Sequence, residues 1–429
     1  MRKSLILACV ALMVLAACGG GGGSSGNIDG GGGGGNTPAL AECLQFADGS
    51  SFGPIAYADV TFPTSGKTIA HVSVQIIGAP NYTVPTGTSG CPGTAENTIT
   101  AFGANGILGV GPFAQDCGPA CASTTNFPPG WYYNCSTPTS CVATSATLAQ
   151  QLQNPVTLFS SDNNGVILEL PSPPVNGTSS LSGGALVFGI GTQGNNGLGS
   201  ATVLLADTSL GFVQASFNGS TGLRAALDSG SNANFFTDSA IPACPTAVGF
   251  YCPNAPVNLT AVLQAASGSA TAAADFTVAN LEDLFNANNS AAVLPNVGGP
   301  VNVPAGTPNP IQFDLGMPFF FGVNVYTAIE NMATPGGTGP YFAYQPSATP
   351  PQTIAAPGPP NVEPVILDAG PPTANAFNTS FVTITVCVPG TQTCQTIDHV
   401  EVDTGSSGLR LLHTNAGGLL NLALPPAAP

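Results

Sequence analysis

Apolar and polar positions alternate most cleanly towards the C-terminal end of the chain. From Phe381 to Val388, the residues Val382, Ile384, Val386 and Val388 fall on one side of a strand, with Thr383, Thr385 and Cys387 on the other. Pro389-Gly390 turns the chain. A second strand over Thr396–Val402 then delivers Asp403 to Asp403-Thr404-Gly405-Ser406-Ser407-Gly408-Leu409-Arg410-Leu411-Leu412. The same order of apolar run, acid, hydroxyl, glycine and serine recurs at Ala226-Leu227-Asp228-Ser229-Gly230-Ser231, before Phe235-Phe236. One buried strand ending on an acid at a tight Gly turn is unremarkable. Two such loops can meet across a two-fold axis, where neighbouring carboxyls share a proton because both do not readily ionise. One then activates a water while the other protonates a carbonyl.

Elsewhere the pattern predicts short strands at Tyr57–Phe62, His71–Ile77, Val166–Leu170, Ser182–Gly191, Thr202–Leu205 and Leu223–Leu227. Phe46-Ala47-Asp48-Gly49-Ser50 reads as a hairpin tip with Asp-Gly at the turn. Gly103–Gly111 is a Gly-flanked apolar run that permits close backbone approach. Met317–Ile329 reads as strand, glycine, strand, and 275–285 as one short helix. Residues 114–145, with Trp131, Tyr132 and Tyr133, read as a disulfide-stapled loop. The expected units are 39–180 and 181–345 as two β domains, a Pro-rich linker at 346–375, an active-site hairpin at 376–413 and a loose tail at 414–429.

Composition agrees with this reading. With 55 Gly and 40 Pro in 429 residues, long helices have no room, so the chain is mainly β. Charged residues make up only 6% and hydrophobic ones 43%, which excludes charge-driven disorder in the body of the chain. The net charge is −16, and beyond residue 18 the only cations besides His are Lys67, Arg224 and Arg410. So few cations argue against nucleic acid or an anionic membrane surface as partner.

Arg2 and Lys3 precede a short apolar core from Ser4 to Ala17, the layout of a secretory signal. Leu15-Ala16-Ala17-Cys18 resembles the bacterial lipoprotein box, which implies cleavage before Cys18, lipidation of its thiol and, with Gly19 following, the outer membrane. Residues 19–38 then form a Gly-rich tether. The ten cysteines beyond Cys18 suit an exported chain with five disulfides. Close spacing suggests 117–121, 135–141, 244–252 and 387–394, leaving Cys43 and Cys91. Without a Cys-x-x-Cys pair and with three His, neither a metal site nor a cofactor is expected.

These motifs together resemble the pepsin-like aspartic proteases. Phe381–Leu412 is similar to that family's first active-site strand and Leu227–Ser231 to its second active-site loop. Phe46–Ser50 is similar to the flap tip, with Phe46 where the family has Tyr. Gly106-Ile107-Leu108-Gly109 and Phe320-Phe321-Gly322-Val323 resemble the two apolar-Gly runs. The resemblance implies a bilobal fold with Asp403 and Asp228 as the catalytic pair. Ser406 and Ser231 would bond their outer oxygens, Thr404 and Ser229 would tie the loops together, and Gly405 and Gly230 would let them turn. Phe46, Asp48 and Gly49 would belong to the flap.

The order is unusual, because the Asp-Thr-Gly segment follows everything else, as in a circular permutation. Gly-Pro-Phe-Ala-Gln-Asp-Cys (111–117), Phe-Tyr-Cys-Pro (250–253) and Pro-Phe-Phe-Phe-Gly (318–322) also resemble a bacterial lipoprotein family of unknown function. Two readings follow: an endopeptidase acting on a peptide or protein, or a catalytically inactive envelope lipoprotein with a binding role. A serine hydrolase is a poor rival, since no Gly-x-Ser-x-Gly frames Ser406 or Ser407. His399 reads as a satisfied surface residue, and Arg410 and Arg224 as ion-pair partners. The oligomeric state is open, a swapped dimer included.

Overall fold

The computed structural model describes residues 38–46, 49–87, 90–302, 309–347 and 360–429. The signal segment, the tether, Cys18, and Ala47-Asp48 of the hairpin tip lie outside the described residues. The strands that matter most are β1 (Ala39–Gln45), β2 (Ser50–Thr61), β3 (Thr68–Ile77), β4 (Gly106–Val110), β5 (Gly165–Glu169), β6 (Leu181–Phe188) and β7 (Ser220–Leu227). They continue with β8 (Asn234–Phe236), β9 (Phe313–Leu315), β10 (Val323–Ala328), β11 (Val362–Leu367), β12 (Ser380–Cys387), β13 (Cys394–Asp403) and β14 (Ser407–Leu412). Helices are brief; the longest, Leu281–Ala287, follows a strand at Thr271–Val278 where a single helix was expected.

The predicted alternation is visible in the burial of β12, where Val382, Ile384 and Val386 are in the core and Thr383 and Thr385 face outward. Its partner β13 pairs Ile384 with Ile397 but Val382 with Val400, so one extra residue is inserted. That bulge falls at Asp398-His399, where His399 has φ 47°. It resets the strand's phase, so Ile397 and Val400 are both buried although three apart.

Two strand units of the same construction dominate the molecule. In the first, β13 runs parallel to β4, with Val402 opposite Leu108, and β4 runs antiparallel to β14, with Leu409 opposite Leu108. β14 in turn runs parallel to β3. In the second, β7 runs parallel to β9, with Leu227 opposite Leu315, and β9 runs antiparallel to β8, with Phe235 opposite Asp314. β8 then runs parallel to Gly298–Gly299. The first unit belongs to a sheet of fifteen strands and the second to a sheet of seven. Leu108, Val402 and Leu409 of one unit and Leu227, Phe313 and Leu315 of the other share one core cluster and are fully buried. Each such side chain contributes about 1.5–3 kcal/mol by leaving water.

The fold is therefore mainly β with a doubled active-site-like unit, as expected. Four expectations need correction. Phe320-Phe321-Gly322 is not the second apolar-Gly run: Met317–Phe320 is a short helix with Pro318 in its first turn, and Gly322 turns the chain at φ 74° into β10, which pairs with β5. Pro318 suits a helix start because its missing N–H has no role there. The second run is Phe313-Asp314-Leu315-Gly316.

The proposed linker contains β11, an interior strand between β6 and β12. The segment 414–429 is pinned rather than loose. Leu40 donates to the Ala427 carbonyl at 2.9 Å, Ala427 donates to Ile55 at 2.8 Å, and Leu420 and Ala427 are buried. A domain boundary at 180 would cut between β5 and β6, which pair with each other.

Five disulfides join described residues. The four close pairs are as anticipated, and Cys43 bonds Cys91.

Candidate active site

β13 and β7 each end at the point where the two units meet. Asp403 and Asp228 stand on the two turns, both 1% exposed. The turns are locked reciprocally. Thr404 Oγ1 accepts from the Ser229 amide at 2.9 Å and donates to the Leu227 carbonyl at 3.0 Å. Ser229 Oγ accepts from the Thr404 amide at 3.1 Å and donates to the Val402 carbonyl at 2.7 Å. Each hydroxyl thus satisfies an amide and a carbonyl that the turns would otherwise leave buried and unpaired.

Within each turn the glycine amide donates back to the acid: Gly405 to Asp403 Oδ1 at 2.7 Å, and Gly230 to Asp228 Oδ1 at 2.9 Å. The serines donate to the other oxygens, Ser406 to Asp403 Oδ2 by a short bond and Ser231 to Asp228 Oδ2 at 3.3 Å. Gly405 and Gly230 have a second, purely spatial role. A methyl on Gly405 would lie 2.6 Å from the Asp228 carboxyl carbon, and one on Gly230 would lie 2.8 Å from Asp403 Oδ1. Only glycine lets each turn slide against the opposite acid.

The two carboxyls face one another closely enough for the charge of Asp403 to act on Asp228. Burial first, then the charges of Asp403 and Asp314, push Asp228 well above the usual carboxylate range, against the pull of the Gly230 amide. Burial and the neighbouring acids thus favour the protonated form of Asp228. One protonated and one ionisable carboxyl in contact can carry out general acid and general base chemistry in the same step.

Asp314, which the sequence reading passed over, is part of this site. It is fully buried on β9, and its Oδ2 lies 2.6 Å from Ser231 Oγ. Its residue pattern, Phe-Asp-Leu-Gly, is an apolar-Gly run interrupted by an acid, and the more conspicuous Phe-Phe-Gly nearby masked it.

A second buried network was also missed. Arg410 on β14 donates to both Glu42 oxygens, at 2.6 and 3.2 Å, and to the Ser407 carbonyl at 2.9 Å. Asp116 lies 3.6 Å from Arg410 and accepts from Tyr132 Oη at 2.7 Å. Burial, and then the Glu42 charge, hold Asp116 well above the carboxylate range, against the pull of Arg410 and the Tyr132 hydroxyl. Arg410 is thus the ion-pair partner expected, whereas Arg224 donates to the Pro310 carbonyl at 2.8 Å instead. His399 sits 3.3 Å from Asp368 with its ring against Phe381, away from the pair.

The predicted flap hairpin exists, closed by the Phe46 amide donating to Gly49 at 2.7 Å. Its aromatic tip does not cover the acids. Phe46 is buried and packs edge-on to Phe102 at 6.0 Å, in the second core cluster with Ile107 and Leu412. Phe carries no polar tip, so its burial leaves no side-chain hydrogen bond unmade. Leu44 of the same hairpin instead lines a recess with Pro112, Phe113, Leu210, Gly405 and Ser406. That recess reaches the active-site turn rather than the carboxyls themselves.

Residues 28–344 and 357–428 match the family described as "Protein of unknown function (DUF3443)". No curated protein matches the chain. Among solved structures, an aspartic proteinase from Irpex lacteus is similar over 73% of this chain and 83% of that one, with 13% identity and a TM-score of 0.38.

Proposed function

The chain belongs to the DUF3443 family of proteins of unknown function, and for it we propose an aspartic-type peptidase activity that uses Asp228 and Asp403. The observation that carries this reading is the reciprocal Thr404–Ser229 lock, which sets the two acid-bearing turns against one another, each carboxyl held by its own glycine amide and serine hydroxyl. In this reading Asp403 is the base and Asp228 the acid. Asp403 takes a proton from a water as its oxygen bonds the peptide carbonyl carbon, and Asp228 gives its proton to the carbonyl oxygen. The diol then collapses. Asp228, now ionised, takes back a hydroxyl proton, Asp403 passes the water's proton to the nitrogen, and the C–N bond breaks, leaving both carboxyls as they began. The recess beside Leu44, Phe113 and Leu210 offers an apolar subsite to a residue next to the cut bond.

The test is cleavage of a diverse peptide library by the full chain, from mild acid to neutral pH, beside Asp228→Asn and Asp403→Asn. Each variant is expected to lose about 10⁴-fold in rate, the upper end of what a positioned acid or base supplies. A folded, disulfide-bonded parent that cuts nothing would sink the activity.

One observation favours a second reading, a pepsin-like lipoprotein without turnover that binds an envelope partner. Both carboxyls are 1% exposed, and Phe46 is in a core cluster rather than over the pair. The Leu-Ala-Ala-Cys run supports anchoring through a lipid on Cys18, which a Cys18→Ser variant released from the membrane fraction would establish. Completion of the first unit by 376–413 supports a circularly permuted order.

A further inference from the structure

Ser231 stands between two acids. Its Oγ lies 2.6 Å from Asp314 Oδ2 and 3.3 Å from Asp228 Oδ2. A hydroxyl has one proton to donate. If it goes to Asp314, the outer oxygen of Asp228 loses this donor. If it goes to Asp228, then Asp314 must itself carry a proton and donate it to Ser231 Oγ. The counterpart serine in the other unit, Ser406, donates to Asp403. The position on β4 that corresponds to Asp314 by strand register is Ile107, which pairs with Glu401 and Arg410 as Asp314 pairs with Ala226 and Phe235. The third carboxyl therefore belongs to one half of the pair only.

We propose that Asp314 is a positioning residue for the acid pair: in its protonated form it donates to Ser231 and so turns the Ser231 hydroxyl onto Asp228. Ionisation of Asp314 reverses the relay and withdraws that donor. This deepens the peptidase reading and rests on it for its catalytic consequence.

Several observations favour the protonated form. Asp314 is fully buried, and its Oδ1 has no hydrogen-bond partner, so an ionised carboxylate would leave a buried oxygen uncompensated. Its neighbours across the sheet are Ala226 of β7 and Phe235 of β8, neither of which carries charge. The ionisable groups that act with it are Asp403 at the end of β13 and Asp228 just beyond β7, both acids. Among the described residues no Lys or Arg is one of them. Burial, opposed by the Ser231 bond and reinforced by Asp403, pushes Asp314 up to about 8. Across the acidic and neutral range Asp314 thus keeps its proton.

The test has two readouts on the full chain. First, the chain labelled with 13C at aspartate carboxyls is titrated from about pH 4 to about pH 10 by NMR. The resonance that disappears in Asp314→Asn is expected to titrate near 8 in the parent. A midpoint near 3.9, the ordinary aspartate value, overturns the proposal. Should the amide variant not fold, Asp314→Glu removes the same label while keeping a carboxyl.

Second, the pH profile of kcat/KM is compared. Asn supplies a permanent N–H donor to Ser231, so the alkaline limb of Asp314→Asn is expected to move up by about one pH unit or more. In a Ser231→Ala background the same substitution is expected to move nothing. An unmoved limb in a folded, active Asp314→Asn variant also overturns the proposal. A parent that cuts no peptide ends the peptidase reading alone, and the resonance still decides whether Asp314 keeps its proton.

Discussion

A missing Cβ and a missing partner govern the site at the residue scale. Gly405 is not in the left-handed region; it is needed because a methyl would stand 2.6 Å from the Asp228 carboxyl carbon. Gly405→Ala is expected to cost about 1–3 kcal/mol by forcing the turns apart, and to abolish any cleavage. Urea melts and peptide turnover on the same preparation check both halves of that expectation. Thr404→Val keeps the shape but removes the hydroxyl shared by the Ser229 amide and the Leu227 carbonyl, at about 1–3 kcal/mol, read from the midpoint of denaturation. Both acids, both glycines and the four hydroxyls at these turns were legible in the sequence because they repeat. Asp314 was not legible, since an acid inside an apolar run reads as a break in a strand unless its burial is known.

Elements carry a different kind of information. The bulge at Asp398-His399 sets which face of β13 meets the core, and no alternation rule forecasts an inserted residue. β11 was hidden by its surroundings: six strand residues, with Pro364 among them, in a stretch rich in Pro and Ala. Pro within a strand usually points to an edge, yet β11 is interior to the sheet. Here Pro364 stands opposite Ala185, while the buried Glu363 beside it accepts from the Thr64 and Ser65 amides. Likewise β14 reads as an ordinary apolar strand except for Arg410, whose buried pairing to Glu42 ties it to the first hairpin. Arg410→Met is expected to cost about 3–5 kcal/mol, because it strands the Glu42 charge. Pairing it with Glu42→Leu should recover most of that loss, which a double-mutant cycle of thermal melts measures.

For the whole molecule, buried acids set the response to pH, three of them at the two networks described. Asp228, Asp116 and Asp314 are all raised above the ordinary carboxylate value, with Asp314 at about 8. Above their unfolded values the native state binds more protons than the unfolded chain, so stability falls as pH rises. The window runs from the ordinary value of about 4 up to each folded value. The chain is therefore expected to melt at higher temperature in mild acid than at mildly alkaline pH, and Asp314→Asn should flatten that slope. A thermal midpoint that rises through this window would contradict the assignment of protons.

The mainly β class and the pairing of close cysteines were legible at this scale. The sharing of one core between the two units was not, since it depends on long-range contacts. The position of β13 and β14 has a temporal consequence. They occupy the sheet between β12, β4 and β3, yet they follow β4 by about 280 residues. During synthesis at about 5–20 residues per second, the edges of β3 and β4 wait roughly 15–60 s for the strands that will cover them. The nascent chain thus cannot close its first unit until β13 and β14 have been made, and any ribosome that stops before them releases open strand edges to chaperones, proteases or one another.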